Sequence, residues 1–276
     1  MARPVQRVPS RQNLRNTMGL AREFGFLEFN TMDMVSWDDD FLGALDDGYV
    51  TAENNDGTVL TVGTGANGTA TLVTDNNDND YSEASLQLQW QPQLMCAVAA
   101  RVQINNIATA KMEIGFTDQI ASGADVSAIL LNGVVADTYT ANATDAAAWV
   151  YDTDSDSDVW HYVSTYNQNA TDTITGAPVS ATSYQSGAPV NDTYETFVVA
   201  LEGTRSAGTT DAWTSPSVAH FYRFDKNGYQ VDHQHLATGP TSNVLLTPYM
   251  NVTTRTTAVR TMTVDFFKAW QRRTAD

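Results

Sequence analysis

Apolar and polar residues alternate along much of this chain, which is the period-two pattern of half-buried β-strands. In residues 262–266, Met-Thr-Val-Asp-Phe, the apolar side chains occupy every second position. The segments of strand length are residues 26–35, 69–74, 82–90, 95–104, 111–117, 147–151, 159–166, 193–202, 218–224, 244–252 and 260–271. Turns rich in Asn, Asp, Gly and Thr separate them, and helical periodicity is nearly absent after residue 25. This spacing predicts an all-β, two-sheet antiparallel sandwich of the jelly-roll type.

The clearest turn signal lies near the C-terminus. Asn227 and Gly228 both tolerate positive φ, as the tight turn of a β-hairpin requires. Two longer connections, residues 171–193 and 203–217, are predicted to be surface loops. We therefore predict one sandwich domain over residues 26–276, preceded by a separate arm over residues 1–25.

The arm differs from the rest of the chain in charge. The whole chain carries 15 basic and 32 acidic side chains, a net charge of -17. Residues 1–22 contain five arginines and no acid, which leaves a net charge of -22 for the remaining residues. An acidic body repels nucleic acid and anionic membranes at long range, so we expect neither as a partner.

The extended basic arm is the predicted attachment element. Pro4 and Pro9 forbid a continuous helix, although a short helix beginning at Ser10 would place Leu14 and Met18 on one face. We expect its arginines to pair with carboxylates of a partner while Leu14 and Met18 bury apolar surface. The predicted contact residues are Arg3, Arg7, Arg11, Leu14, Arg15, Met18 and Arg22.

One segment has the composition of a calcium site. Aspartates alternate in residues 152–158, and Asp152, Asp154 and Asp156 could supply oxygen ligands to Ca²⁺. The calcium-loop pattern would need Gly at position 157 and Glu at position 163, where this chain has Ser157 and Val163. A solvated turn without a cofactor is the default expectation, with Ca²⁺ as the alternative.

Enzymatic chemistry has little support in the sequence. Glycoside hydrolysis needs two carboxylates on one face of a cleft. Glu113 and Asp118 are the candidates within one strand, but their odd spacing puts them on opposite faces. Three aromatic residues, Trp213, Trp149 and Tyr229, are instead predicted as contact or glycan-stacking residues.

The single cysteine, Cys96, excludes an intrachain disulfide and is expected to be a small buried side chain. No apolar run is long enough to span a membrane, and the N-terminus lacks the apolar core of a secretory signal. We therefore expect synthesis in the cytoplasm without secretion.

Several short stretches resemble the concanavalin A-like lectin/glucanase sandwich, and in particular such domains of tailed-phage structural proteins. These stretches are residues 112–118, 149–154, 188–194, 220–228 and 263–271. The resemblance implies a concanavalin A-like jelly roll. Glucanase members carry a Glu-x-Asp-x-x-Glu strand, which this chain lacks, so catalysis is not implied.

The resemblance and the arm together favour a non-enzymatic virion protein that decorates the exterior of a phage capsid. Its expected partner is the major capsid protein, and we expect a homo-oligomer, by analogy a trimer. The main alternative is a carbohydrate-binding module on a fibre or tail tip that contacts a surface glycan. A glycosidase is the weaker alternative.

Overall fold

The computed structural model describes residues 34–63, 68–120, 139–140, 142–167, 173–178, 187–206 and 212–274. The strands are β1 (Met34–Asp39), β2 (Val50–Glu53), β3 (Thr58–Val62), β4 (Ala70–Val73), β5 (Tyr81–Ser85), β6 (Ala97–Ile104), β7 (Ala110–Thr117), β8 (Tyr139–Thr140), β9 (Ala146–Asp152), β10 (Trp160–Thr165), β11 (Thr173–Pro178), β12 (Glu195–Glu202), β13 (Val218–Phe224), β14 (Gln230–Leu236), β15 (Thr247–Thr254) and β16 (Thr261–Arg272). The described part contains one 3₁₀ turn, Pro92–Leu94, and no helix long and apolar enough to cross a membrane.

The strands form two sheets. The first has the order β14-β13-β12-β6-β16-β4-β3, with β1 also paired to β16, and the second has the order β2-β5-β15-β7-β9-β10-β11-β8. Neighbours are paired antiparallel wherever the register is defined, as for β6 with β16 and for β7 with β15. The predicted two-sheet antiparallel sandwich is therefore confirmed. Val35–Asp276 forms one compact unit.

The core lies between the sheets and is built from alternate residues of each strand. Met112, Ile114 and Phe116 of β7 face Phe197 and Val199 of β12 across this layer, and all are buried. Such burial is the main favourable term in folding, at about 25 cal/mol per Å² of apolar surface removed from water.

The predicted hairpin forms between β13 and β14, but its turn uses one left-handed residue rather than two. Gly228 has φ +81°, whereas Asn227 keeps a negative φ. The carboxylate of Asp225 accepts hydrogen bonds from the backbone N–H groups of Asn227 (2.9 Å) and Tyr229 (2.8 Å). This Asp cap makes a second left-handed residue unnecessary.

The structure differs from the predicted elements in several places. The strand predicted over residues 26–35 lies mostly outside the described residues, and the described strand, β1, extends to Asp39. The segment 171–193 was expected to be a loop, but it contains β11, which pairs with β10. The short strands β2 and β3 were not predicted, because four or five residues offer too little alternation to distinguish a strand from a polar turn.

Antiparallel pairing gathers the connections at two ends of the sandwich. We call one the loop end, comprising residues 40–49, 63, 68–69, 86–96, 118–120, 142–145, 166–167, 203–206, 212–217, 237–246 and 273–274. We call the other the acidic end, comprising residues 54–57, 74–80, 105–109, 153–159, 187–194, 225–229 and 255–260. Most of the carboxylates in these connections lie at the acidic end, namely Asp56, Asp75, Asp78, Asp80, Asp154, Asp156, Asp158, Asp192 and Asp225.

Candidate functional site

The outer face of the second sheet carries a layer of polar side chains. Asn251 of β15 is in register with Glu83 of β5 on one side and with Glu113 of β7 on the other. The two glutamates therefore share a face at a separation of two strands, about 10 Å between backbones. This pair was not predicted from the sequence, because the two glutamates belong to different strands and their position side by side depends on the register of the sheet.

This polar layer is withdrawn from solvent and its members bind one another. The Nζ of Lys111 lies 2.6 Å from Oε1 of Glu113, and the hydroxyl of Tyr249 donates to Oε2 of Glu113 at 2.8 Å. Asn251 donates to Glu83 at 3.2 Å. All of these side chains are at most 1% exposed. Burial, with the adjacent Glu113 carboxylate, raises the pKa of Tyr249 well above its usual value. The layer is thus a buried network rather than an open cleft.

The loop end, by contrast, combines polar and aromatic groups that solvent reaches. Asp145 is the buried link between its loops, because its Oδ1 accepts hydrogen bonds from the backbone N–H (2.5 Å) and hydroxyl (2.8 Å) of Thr241. Ser242 in turn donates to the carbonyl of Ser215 at 2.9 Å and accepts from the N–H of Thr204 at 2.8 Å. These bonds fix connections from both sheets against one another.

Asp118 follows β7 at this end and is half-buried. The N–H of Thr144 donates to its Oδ1 at 3.2 Å, and Gln119 beside it donates to the carbonyl of Asn142 at 3.1 Å. Burial raises the pKa of Asp118 to about 6, and the nearby Asp145 carboxylate adds to the shift. The two carboxylates considered from sequence occupy different surroundings, since Asp118 is half-buried at the loop end and Glu113 is fully buried in the polar layer of the second sheet.

Trp213 is half-buried in the loop that precedes β13. The guanidinium carbon of Arg205 lies 4.9 Å from the centre of its ring, a cation–π distance. Next to it, the hydroxyl of Tyr166 donates to the carbonyl of Thr214 at 3.0 Å. That Trp213 contacts a partner stays a prediction. The guanidinium of Arg205 lies over one face of its ring.

The other two predicted aromatic residues lie elsewhere. Tyr229 is 72% exposed at the tip of the β13–β14 hairpin, at the acidic end. The seven residues of β13 separate it from Trp213 by about 23 Å, so the two cannot form one site. The prediction that Trp149 is a surface contact was wrong. Its side chain is fully buried against Phe197 and Phe221, and its indole N–H donates to the carbonyl of Val198.

The calcium alternative at residues 152–158 finds no support in the described residues. Arg255 makes a two-pronged contact with Asp152, with its Nε 2.9 Å from Oδ1 and its Nη2 2.5 Å from Oδ2. The same guanidinium lies 3.4 Å from Asp154, while Asp156 points to solvent. Within the described ranges, no three His, Cys, Asp or Glu side chains are grouped as a metal site. Arginine therefore supplies the charge that a cation would have supplied.

All seven predicted arm contacts, from Arg3 to Arg22, lie outside the described residues. Their assignment as capsid contacts therefore stays a prediction.

Comparison with known proteins identifies the fold. No protein-family model and no curated protein sequence matches the chain. Among solved structures, peanut lectin is similar over 88% of this chain and 99% of its own, at 10% identity and a TM-score of 0.56. The CBM2 module of the evolved Dit of Lactobacillus casei BL23 phage J-1 is similar over 88% and 97%, at 12% identity and a TM-score of 0.51. A protein of unknown function from Shewanella oneidensis MR-1 is similar over 100% and 98%, at 12% identity and a TM-score of 0.55.

The fold is therefore a lectin-like jelly roll of the concanavalin A type, as the sequence resemblance implied. At these identities the similarity establishes the fold, and function has to be argued from the site.

Proposed function

We propose that this protein is a non-enzymatic carbohydrate-binding module whose glycan site is the loop end. The observation that carries the proposal is the convergence of connections from both sheets on one surface, which combines Asp118, Tyr166 and Trp213 with amide groups. Carboxylates and amides bind sugar hydroxyls, and aromatic rings contact their apolar faces. The lectin and the phage CBM2 module among the similar structures support this class of ligand.

The same proposal states that the protein does not hydrolyse the glycan that it binds. The Glu83–Glu113 pair resembles a hydrolytic pair in its separation, but both carboxylates are buried and bonded within the sheet. We expect no hydrolysis of soluble β-glucans, measured as release of reducing ends. Turnover above the buffer blank would contradict the non-enzymatic assignment.

A glycan array probed with the full chain tests the binding function. The proposal predicts binding confined to a small group of related glycans. Trp213→Ala and Asp118→Asn should each weaken that binding, while Tyr229→Ala, which truncates an exposed aromatic at the opposite end, should not. Loss of binding only in the Tyr229 variant would move the site to the acidic end and refute the assignment.

A second candidate function is decoration of a phage capsid through residues 1–25. The supporting observation is the separation of charge, +5 in residues 1–22 against -22 in the remainder. The partner would be the major capsid protein and the site the virion exterior, with the sandwich exposing its glycan site outward. Deleting residues 2–22 should then abolish capsid association without unfolding the sandwich. Capsid association by the truncated chain would refute this candidate.

A further inference from the structure

Arg205 is an exposed charged residue near the proposed glycan site. Residues 204–206 run beside residues 212–216, since the N–H of Ser206 donates to the carbonyl of Ala212 at 2.8 Å. The hydroxyl of Thr204 also donates to the carbonyl of Pro216 at 2.5 Å. These bonds hold the backbone on both sides, so that the guanidinium of Arg205 rests on the ring of Trp213. A cation supported in this way loses less freedom when it binds a ligand.

The residues that follow Arg205 and Trp213 in the chain carry hydroxyl groups that bond to one another. The Oγ of Ser206 lies 2.9 Å from the hydroxyl of Thr214 and 3.0 Å from that of Ser215. Hydroxyls can donate to an oxyanion, and an arginine fork can donate two parallel hydrogen bonds to it. Guanidinium and hydroxyls together suit a carboxylate or a phosphate better than an uncharged sugar.

The net charge of -17 does not favour an anion, so the recognition of one depends on the groups within reach of the ligand, namely Arg205 and the neighbouring hydroxyls. Among the described residues, the connections that form the loop end contain five carboxylates, Asp40, Asp46, Asp47, Asp118 and Asp145, and β12 ends there at the exposed Glu202. The carboxylates of the acidic end lie about 23 Å away, well beyond the screening length of about 8 Å in physiological salt.

We propose that the loop end recognises an anionic substituent of its glycan, a uronate carboxylate or a phosphate, through Arg205, with Trp213 positioning the guanidinium. This inference rests on the proposed glycan-binding function and names the chemical class of the ligand.

Two matched ligand pairs test it with the full chain in isothermal titration. The first pair is an oligogalacturonate and its neutral methyl ester, and the second is glucose 6-phosphate and glucose. The proposal predicts tighter binding of the charged member in at least one pair. The pair that shows the preference tells whether a uronate or a phosphate is the source of the charge.

Charge variants supply the matched control. Arg205→Gln should weaken binding of the charged ligand on the order of tenfold. Arg205→Lys should bind more tightly than the Gln variant but less tightly than the unchanged protein, because lysine lacks the planar fork. Lys226→Gln makes the same change in net charge at the opposite end and should leave binding unchanged. Circular dichroism should show all three variants folded.

The outcomes separate this inference from the function on which it rests. Equal binding of charged and neutral members, with no effect of Arg205→Gln, overturns the anion assignment and leaves carbohydrate binding intact. An equal loss in the Lys226 and Arg205 variants also overturns it, since the attraction would then follow net charge. Failure to bind any glycan, on the array or in titration, overturns the proposed function and the inference together.

Discussion

Replacing Lys111 by methionine should be among the most damaging single changes in the sandwich. Lys111 is 1% exposed and Glu113 is fully buried, with 2.6 Å between Nζ and Oε1. The change keeps the length of the side chain but removes the cation that is paired with Glu113. Removing one partner of a buried ion pair costs about 3–5 kcal/mol, because the other charge stays uncompensated.

For a unit of this size, 1 kcal/mol corresponds to roughly 2–4 °C in Tm, so the expected loss is on the order of 10 °C. Urea denaturation followed by tryptophan fluorescence gives the free energy of unfolding directly. The control is Lys268→Met, which breaks a pair of similar length with Asp38 (2.8 Å) whose side chains are 39% and 57% exposed. An exposed pair contributes at most about 1 kcal/mol.

The double variant Lys111→Met/Glu113→Gln completes the test. It removes both charges, so it should be more stable than the Lys111 single variant if the cost comes from an uncompensated carboxylate. Equal losses in the Lys111 and Lys268 variants would refute the claim that the outer face of the second sheet is a buried network.

Three further predictions concern single groups. Burial raises the pKa of Asp118 from 3.8 to about 6, so the folded state binds its proton more tightly than the unfolded state. Stability should therefore fall as pH rises between these values, and Asp118→Asn should flatten that part of the pH profile of unfolding; an unchanged profile would contradict the assignment. Because Asp152 is paired with Arg255, neither added Ca²⁺ nor a chelator should shift Tm, and a rise with Ca²⁺ would restore the metal hypothesis. Burial raises the pKa of the Cys96 thiol, so iodoacetamide should label the protein only after denaturation, as mass spectrometry would show.

The parts of the fold that sequence predicted best are long strands with a strong pattern. Residues 111–117 and 260–271 were placed within one residue of β7 and β16, because their length makes the pattern unambiguous. Trp149 was misassigned for the opposite reason. All seven residues of β9 are buried, on both faces of the strand. The sequence around Trp149 therefore does not show which side chains meet the core.

The candidate site was less predictable, because it depends on contacts between distant segments. Asp145 and Thr241 are 96 residues apart in the chain, and their hydrogen bonds link two connections of the loop end. Arg205 was not singled out, since an arginine in a polar loop is ordinarily solvated. The position of its guanidinium on Trp213 requires the structure.

The central claim is that glycans bind at the loop end, and hydrogen exchange locates a bound ligand most directly. With the tightest ligand from the glycan array, backbone amides in residues 203–206, 212–217 and 237–246 should exchange more slowly than in the free protein. Amides at the hairpin tip, residues 225–229, should be unaffected. Slowed exchange at the hairpin tip, with no change at the loop end, would contradict the account.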